Sequence, residues 1–591
     1  MTPADHAAAT VPPTEPFPSE ATMPDVDAAI EALQDGARIW GHLTLEQRAR
    51  LLDRLHDTVA ATAEEWADVA SDLKGVPAGH PLRGEEWLAG PYAALVALRA
   101  YAKTLKILAD DGNPLDGLRV DEAPTGGIRV HVFPVSAMDS LLLSGFSGEV
   151  WMRPGITLEQ ARATAGLGQR HPAAPAGVGL VLGAGNVTSI PVLDVLYELV
   201  ANNRVALLKI NPTMGPLMPV FERALAPLLE PGFVRIVTGG PDVGEYLTGH
   251  AGIDHVHITG AAATFDAIVW GVGQEAERRR GEDDPKLTTP ITSELGGVSP
   301  IIVVPGAWTD ADLRFQAEHV TTMRLHNSGH NCVAAQAVIL SSEWPQRKAF
   351  LSALRDAYAA APARPVWYPR SDEKLEAAAS AYPQAEWFSG GTRAIIPLAE
   401  GDDATALEQT EYFSPVLGVI ELPGLGQEFV DAAVSHANEK LSGTLGANIL
   451  IDPATQKALG DGFERAIADL RYGAIAVNAW TGFVYLTPSL TWGAFPGSSL
   501  QDVGSGIGVV HNALLLDGVE RSVCRGPFRP FPRSVPTMIR SLGMSSGTVL
   551  PKPPWFVDSR TGAAVSEGFT RFRMDGNLVR LVGTMAKAFR A

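Results

Sequence analysis

The chain has 591 residues, of which 47 are Lys or Arg and 66 are Asp or Glu, giving a formal net charge of −19. A chain of this length can bury a large core and should divide into two or more domains. Its acidic balance argues against nucleic acid and anionic membrane as partners, because both need clustered basic side chains to displace counterions. Two cysteines, Cys332 and Cys524, are too few for a disulfide scaffold and point to a reducing compartment.

Residues 1–25, rich in Pro, Ala and Thr, read as a disordered leader and lack the basic start and apolar run of a secretory signal. No stretch of about 18 residues is apolar enough to span a bilayer, so the expected location is the cytoplasm. From residue 26 to about 109 the pattern is helical, as in LEQRARLLDRLHDTVAATAEEWADVASDL (45–73), with apolar residues every three or four positions. Residues 113–175 are less regular, with strand candidates at IRVHVF (128–133) and GEVWMR (148–153).

Strand and helix then alternate. The apolar run Gly177–Leu182 and the turn GAGN (183–186) precede a helix from Pro191 whose stripe is Val192, Leu193, Leu196, Leu199 and Val200. VALLKI (205–210), a helix over 216–229, FVRIV (233–237) and DHVHI (254–258) continue the series. Short links between such segments predict a parallel sheet covered on both faces. The charged run AERRRGEDDPK (276–286) reads as a solvated insertion, after which SPIIVV (299–304), a helix over 310–326 and VAAQAVIL (333–340) restart the alternation. Two parallel-sheet α/β units are therefore predicted.

The common zinc, P-loop and nucleophile-elbow motifs are absent, as is the GxGxxG fingerprint. His250, His255 and His257 lie close in sequence, but without a further Cys or carboxylate at ligand spacing no metal is predicted. Cys332 stands at a turn leading into an apolar segment, where backbone N–H groups can favour a thiolate. Glu294 ends an apolar strand before two glycines; burial there raises a carboxyl pKa and makes it a candidate base. Asn186 and Lys209 close successive strands, at the carboxyl edge where ligands bind. EYFSPV (411–416) places an acid and an aromatic before another apolar strand.

Together these segments resemble the aldehyde dehydrogenase superfamily over roughly 175–525. Its Glu-Leu-Gly-Gly motif matches Glu294–Gly297, its Asn-x-Gly-x-x-Cys motif matches Asn327, Gly329 and Cys332, and its Glu-x-Phe-x-Pro-Val motif matches Glu411, Phe413, Pro415 and Val416. The family's oxyanion Asn and cofactor Lys match Asn186 and Lys209, 23 residues apart as in the family, and its Thr-Gly step matches Thr259 and Gly260. The resemblance implies a Rossmann-like cofactor domain, a catalytic domain and an oligomerisation element, in a homodimer or homotetramer. It implies that Cys332 attacks an aldehyde, Asn186 and the Cys332 N–H hold the oxyanion, and Glu294 activates water. Gly183, Lys209, Thr259, Gly260, Leu295, Gly296, Glu411 and Phe413 would bind NAD or NADP.

The resulting boundaries are a leader at 1–25, a helical region with the dinucleotide-binding domain at 26–296, a catalytic domain at 297–475, closing loops with a last strand at 476–525, and a C-terminal extension at 526–591. Four positions depart from the family: Gly185 replaces a frequent Trp, Val195 a Lys, Ala261 a Ser, and Pro212 the acid that grips the adenosine ribose. Without that acid, NADP is as compatible as NAD. Two alternatives to hydrolytic oxidation stand beside it: an acyl-CoA or thioester reductase or CoA-acylating enzyme, which generally lacks the Glu, and a non-catalytic protein of the same fold. Trp480, Phe483, Tyr485 and Trp492 fit either an apolar substrate tunnel or a packed domain interface.

Overall fold

A computed structural model of the chain describes residues 20–399, 401–536 and 547–590. Most of the expected leader lies outside the described residues, and the first helix, Met23–His42, starts inside its expected span. Thr22 explains the early start: its side chain accepts from the Asp25 N–H while the Asp25 carboxylate accepts from the Thr22 N–H, a capping box. A second capping box, Thr44 with Gln47, opens the long helix Leu45–Leu73, whose Leu52, Leu55, Val59 and Trp66 are buried in one apolar cluster with residues of the helix Ala93–Ala109. Buried Arg48 donates to Gln169, Asn203 and the carbonyls of Trp40 and Pro172, tying these helices to the α/β body.

The body is α/β with two large sheets, as expected. The first sheet has six strands, in the spatial order Gly506–Ile507, Ile291–Leu295, His255–Gly260, Val178–Leu182, Val205–Lys209 and Val234–Val237. Its last five are parallel, and in chain order they run 3-2-1-4-5 across the sheet. These strands read as unbroken apolar runs because both faces are covered; Val205, Ala206, Leu207 and Leu208 are all fully buried. The charged run forms a helix, Gly273–Glu282, with no buried residue.

The second sheet has eleven strands. Seven are parallel: Val519–Arg525, Ala474–Val477, Gly446–Leu450, Ser299–Val303, Ala335–Ser341, Val416–Leu422 and Arg393–Leu398. Three antiparallel strands, Arg119–Glu122, Ile128–Phe133 and Ser147–Met152, extend it by pairing 147–152 with 519–525, and Glu386–Phe388 closes the other end. The sequence boundaries grouped 113–175 with the first α/β unit, whereas its strands pair with the second sheet; the last strand, 519–525, falls within the expected 476–525. Pairing across some 370 residues leaves no local signature, because strand periodicity reports which face is buried and not the partner.

The C-terminal helices Gly562–Asp575 and Leu578–Ala588 return to the N-terminal region, where Val565, Phe569 and Phe572 share an apolar cluster with Leu88 and Tyr92. Among the described residues no helix is long and apolar enough to cross a membrane.

Candidate active site

The order 3-2-1-4-5 places Val178–Leu182 beside His255–Gly260, with the chain leaving them toward opposite sides of the sheet. Such a switch point opens a crevice at the carboxyl ends of the strands, where α/β sheets bind ligands. Here the crevice is a cavity of about 670 Å³, closed on its far side by residues preceding strands of the second sheet. Gly183, Asn186, Lys209, Thr259, Gly260, Glu294, Gly296, Cys332, Glu411 and Phe413 all line it. Leu295 does not: its side chain packs with Ile258, Phe265 and Trp270, and its N–H donates to the Ser505 carbonyl.

Cys332 is brought there by a reversal of the chain. The helix Asp310–Leu325 ends, and Asn327, Ser328 and Gly329 follow with φ of 54°, 55° and 75°. At Gly329 a Cβ would stand 2.9 Å from the Ser414 carbonyl oxygen, so only glycine lets the two loops approach. The sulfur is left half-buried before the strand Ala335–Ser341, whereas Cys524 is fully buried within a strand.

The electrostatics of the sulfur differ from the sequence expectation. Burial first, then the charges of Glu294 and Glu411, push the Cys332 thiol well above its ordinary pKa. The Cys332 N–H favours the thiolate as anticipated, but the two carboxylates and the loss of water outweigh it. Glu294, buried and hydrogen-bonded to Cys332, is raised by that burial to about 7. Its Oε1 lacks a hydrogen-bond partner.

Asn186 donates from Nδ2 to the His330 carbonyl at 2.9 Å, and its own carbonyl accepts from Asn327 Nδ2 at 3.0 Å. Burial likewise raises Glu411 to about 7, with Lys374 opposing, and Glu411 Oε1 is also without a partner. A Cβ at Gly296 would fall 2.0 Å from that oxygen, so the glycine makes room for the carboxylate. Lys374 Nζ lies 5.4 Å from the centroid of the Phe413 ring. Lys209 donates to the Gly239 carbonyl; burial lowers its pKa, and Glu20 acts against that shift. Pro212 lines the cavity beside Lys209 and Asn211.

The aldehyde dehydrogenase family profile matches residues 156–370. The N-succinylglutamate 5-semialdehyde dehydrogenase of Novosphingobium aromaticivorans is 27% identical over 289 residues, covering 48% of this chain and 56% of that relative. The chain thus spans about half the length of this curated relative. The fold of the NAD-dependent aldehyde dehydrogenase from Sinorhizobium meliloti is similar, with a TM-score of 0.56 at 20% identity over 87% of this chain and 89% of that one. So is that of aldehyde dehydrogenase C from Pseudomonas syringae, solved with NAD+ and octanal: TM-score 0.56, 17% identity, 86% and 89% coverage.

Residues 156–370 are thus similar to the aldehyde dehydrogenase family, and the fold around them is similar to that of solved aldehyde dehydrogenases.

Several residues at this site carry no signal in the sequence. Lys74 and Glu86, both buried and from the N-terminal helical region, pair at 2.8 Å. Lys74 Nζ also donates to the Asn186 carbonyl at 3.0 Å. Two further contacts come from the same region: Trp66 Nε1 donates to Thr188 Oγ1 at 2.9 Å, and the Ser189 N–H donates to the Ala89 carbonyl at 3.1 Å. Glu85 accepts from the Asn327 N–H at 3.0 Å and from Arg364 at 2.7 Å. Tyr368 and Lys374 complete the cavity wall.

The histidines noted in the sequence have carboxylate partners. His255 lies 3.1 Å from Glu198, and His257 lies 3.6 Å from Asp194. Strand residues two apart share a face, as do helix residues four apart, so the pairs match across the strand–helix contact. Asp194 also accepts from Thr259 Oγ1 at 2.9 Å and lies 3.2 Å from His511 Nε2. Burial works against the His257 imidazolium, but Asp194, Glu198 and Glu294 outweigh it and hold its pKa above the ordinary value. Burial likewise opposes the Asp194 carboxylate, which His257 and His511 hold down at about 2.

On the other side of the sulfur is a second, narrower cavity of about 60 Å³. Trp480, Phe483, Tyr485 and Trp492 all line it, so these four aromatics pack around a cavity that reaches Cys332.

Proposed function

We propose that the protein oxidises an aldehyde to a carboxylic acid, with NAD(P) as the hydride acceptor. The observation that carries this reading is Cys332, which lines a large cavity at a sheet switch point and a narrow apolar one, with the carboxylate of Glu294 against it.

The residues present fit a dinucleotide. The large cavity follows the strand ends 182–186 and 259–261, and glycines 183, 240, 244, 260 and 296 admit close approach along it. Glu411 and Lys209 both line this cavity, the first offering a carboxylate to accept from a ribose hydroxyl and the second an ammonium to donate to the adenosine ribose. With Pro212 offering no acid and Glu20 supplying a negative charge near Lys209, both NAD and NADP remain within this reading. The NAD+ held by aldehyde dehydrogenase C from Pseudomonas syringae accords with it.

Each step follows from the chain's own groups. Glu294, with a pKa of about 7, takes the thiol proton, and the sulfur of Cys332 bonds to the carbonyl carbon. The carbonyl oxygen becomes an alkoxide, met by a second Asn186 N–H and the Cys332 N–H; such donors contribute roughly 3 kcal/mol each. A bound dinucleotide supplies the acceptor for the hydride that leaves as the thiohemiacetal becomes a thioester. Once that first proton has passed to solvent, the Glu294 carboxylate removes a proton from water, the hydroxide adds to the thioester, and the acid departs as the sulfur takes the proton back from Glu294. Because Glu294 stands against the sulfur, hydrolysis is favoured over transfer to CoA.

The test is dinucleotide reduction with a panel of aldehydes, with and without CoA, for the native protein and Cys332→Ala. The reading requires reduction that depends on Cys332, yields a free acid and does not accelerate with CoA. A CoA ester as the product would replace it with the CoA-linked reading.

A further inference from the structure

The narrow cavity is built largely from parts of the chain outside the family match at 156–370. Leu88 and Ala89 come from the N-terminal helical region, the four aromatics from 480–492, and Trp555 from the C-terminal segment. Trp555 follows Pro553 and Pro554, whose rings fix the backbone leading to it. Its ring meets Phe146 edge-on at 5.9 Å and lies 6.5 Å from Phe483, while Phe146 and Phe483 stack at 4.8 Å. Phe556 anchors the same stretch by stacking on Phe315 and His319.

Among the described residues, no Lys, Arg, Asp or Glu lines this cavity. Three of its polar side chains already have partners within the protein. Tyr485 Oη is 2.7 Å from Ser189 Oγ, Asn331 Nδ2 donates to the His326 carbonyl at 3.1 Å, and Trp480 Nε1 donates to the Val333 carbonyl at 3.4 Å. His326 packs against Trp480 at 4.9 Å, and burial lowers it to about 4, so it is neutral near pH 7. The nearby cations Lys74 and Arg364 are held by Glu86 and Glu85. A carboxylate brought in here would lose water with no cation to replace it.

We propose that this cavity selects a slim, uncharged, apolar aldehyde, an unbranched aliphatic or a flat aromatic one, and that Trp555 is the wall that sets its width. This rests on the aldehyde-oxidation reading above. A volume of about 60 Å³ between aromatic walls favours a slim group over one branched next to the carbonyl.

The test compares kcat/KM of the native protein for hexanal and benzaldehyde with that for succinic semialdehyde and pivaldehyde. The first pair should exceed the second by at least 100-fold, and equal or better use of succinic semialdehyde would overturn the proposal. Trp555→Ala should lower kcat/KM for hexanal at least 10-fold and raise it for pivaldehyde, with unchanged dinucleotide affinity, and Trp555→Phe should restore most of the preference. An unaltered ratio in Trp555→Ala overturns the assignment of that wall.

A readout without turnover separates this proposal from the oxidation reading. Hexanamide and benzamide should slow alkylation of Cys332 by iodoacetamide at least 5-fold, and succinamate should not. Protection by the apolar amides with no aldehyde oxidised would sink the oxidation reading and leave the cavity's selectivity standing. Protection by succinamate alone would overturn the cavity proposal.

Discussion

The ammonium of Lys74 lies 2.8 Å from Glu86 and 3.0 Å from the carbonyl oxygen of Asn186. A buried ion pair from the N-terminal helical region thus holds the backbone of the residue proposed to bind the oxyanion. Removing one partner of such a pair costs about 3–5 kcal/mol, because it strands a buried charge, whereas replacing both by apolar groups is often close to neutral. Lys74→Met should therefore destabilise the protein by about 3 kcal/mol in urea unfolding, and Lys74→Met with Glu86→Leu by clearly less. Both variants should lose turnover, since neither restores the donor to Asn186. Equal stability losses in the single and double variants would contradict this coupling.

Glu294 should make stability depend on pH. Its folded pKa of about 7 lies above an unfolded value of roughly 4.3, so the folded state binds that proton more tightly. The contribution is fully present below about pH 4 and is lost as pH rises through 7. Glu294→Gln should therefore stabilise the protein at pH 8 by on the order of 1–3 kcal/mol and have little effect at pH 4. Urea midpoints at the two pH values measure it. Glu411, shifted the same way by burial, keeps part of the dependence in the variant.

The two cysteines should differ in reactivity. Cys332 is half-buried and lines two cavities, while Cys524 is fully buried. Iodoacetamide should modify Cys332 alone in the native protein, at a rate still climbing above pH 9, because burial and two carboxylates oppose its thiolate. Glu294→Gln removes one of those charges and should speed the reaction at a given pH. Peptide mapping after a timed exposure decides it; labelling at Cys524 first would contradict it.

Asn186→Ala should reduce turnover roughly 100-fold, the usual effect of deleting one oxyanion donor, while leaving dinucleotide affinity by fluorescence quenching unchanged. A comparable loss in affinity would instead give Asn186 a role in shaping the cofactor cavity.

The parts of this molecule legible in its sequence are those with short-range signatures. The alternation of apolar runs and helices reports two parallel-sheet units, and the strand ends at Leu182 and Lys209 fall where the periodicity stops. Cys332, Glu294 and Glu411 stood out because a reactive or charged side chain between glycines and apolar runs has few structural uses. Lys74, Glu85 and Glu86 did not stand out, since in a helical stretch they look like any solvated charges; they are buried only because Arg364 and Asn186 come to them from far along the chain. The same holds for Trp555, whose place beside Cys332 depends on the C-terminal segment folding back over Phe146 and Phe483.

By its own local chemistry, the sequence determined which strands would be buried and which side chains could react. Tertiary structure alone decided how strongly those groups hold their protons and which distant segments brace them. A pKa depends on the water removed and the charges brought near, and both come from contacts between residues hundreds of positions apart. That is why the turn at Cys332 appeared, in sequence, to favour a thiolate, while the folded site surrounds the sulfur with two carboxylates and opposes it.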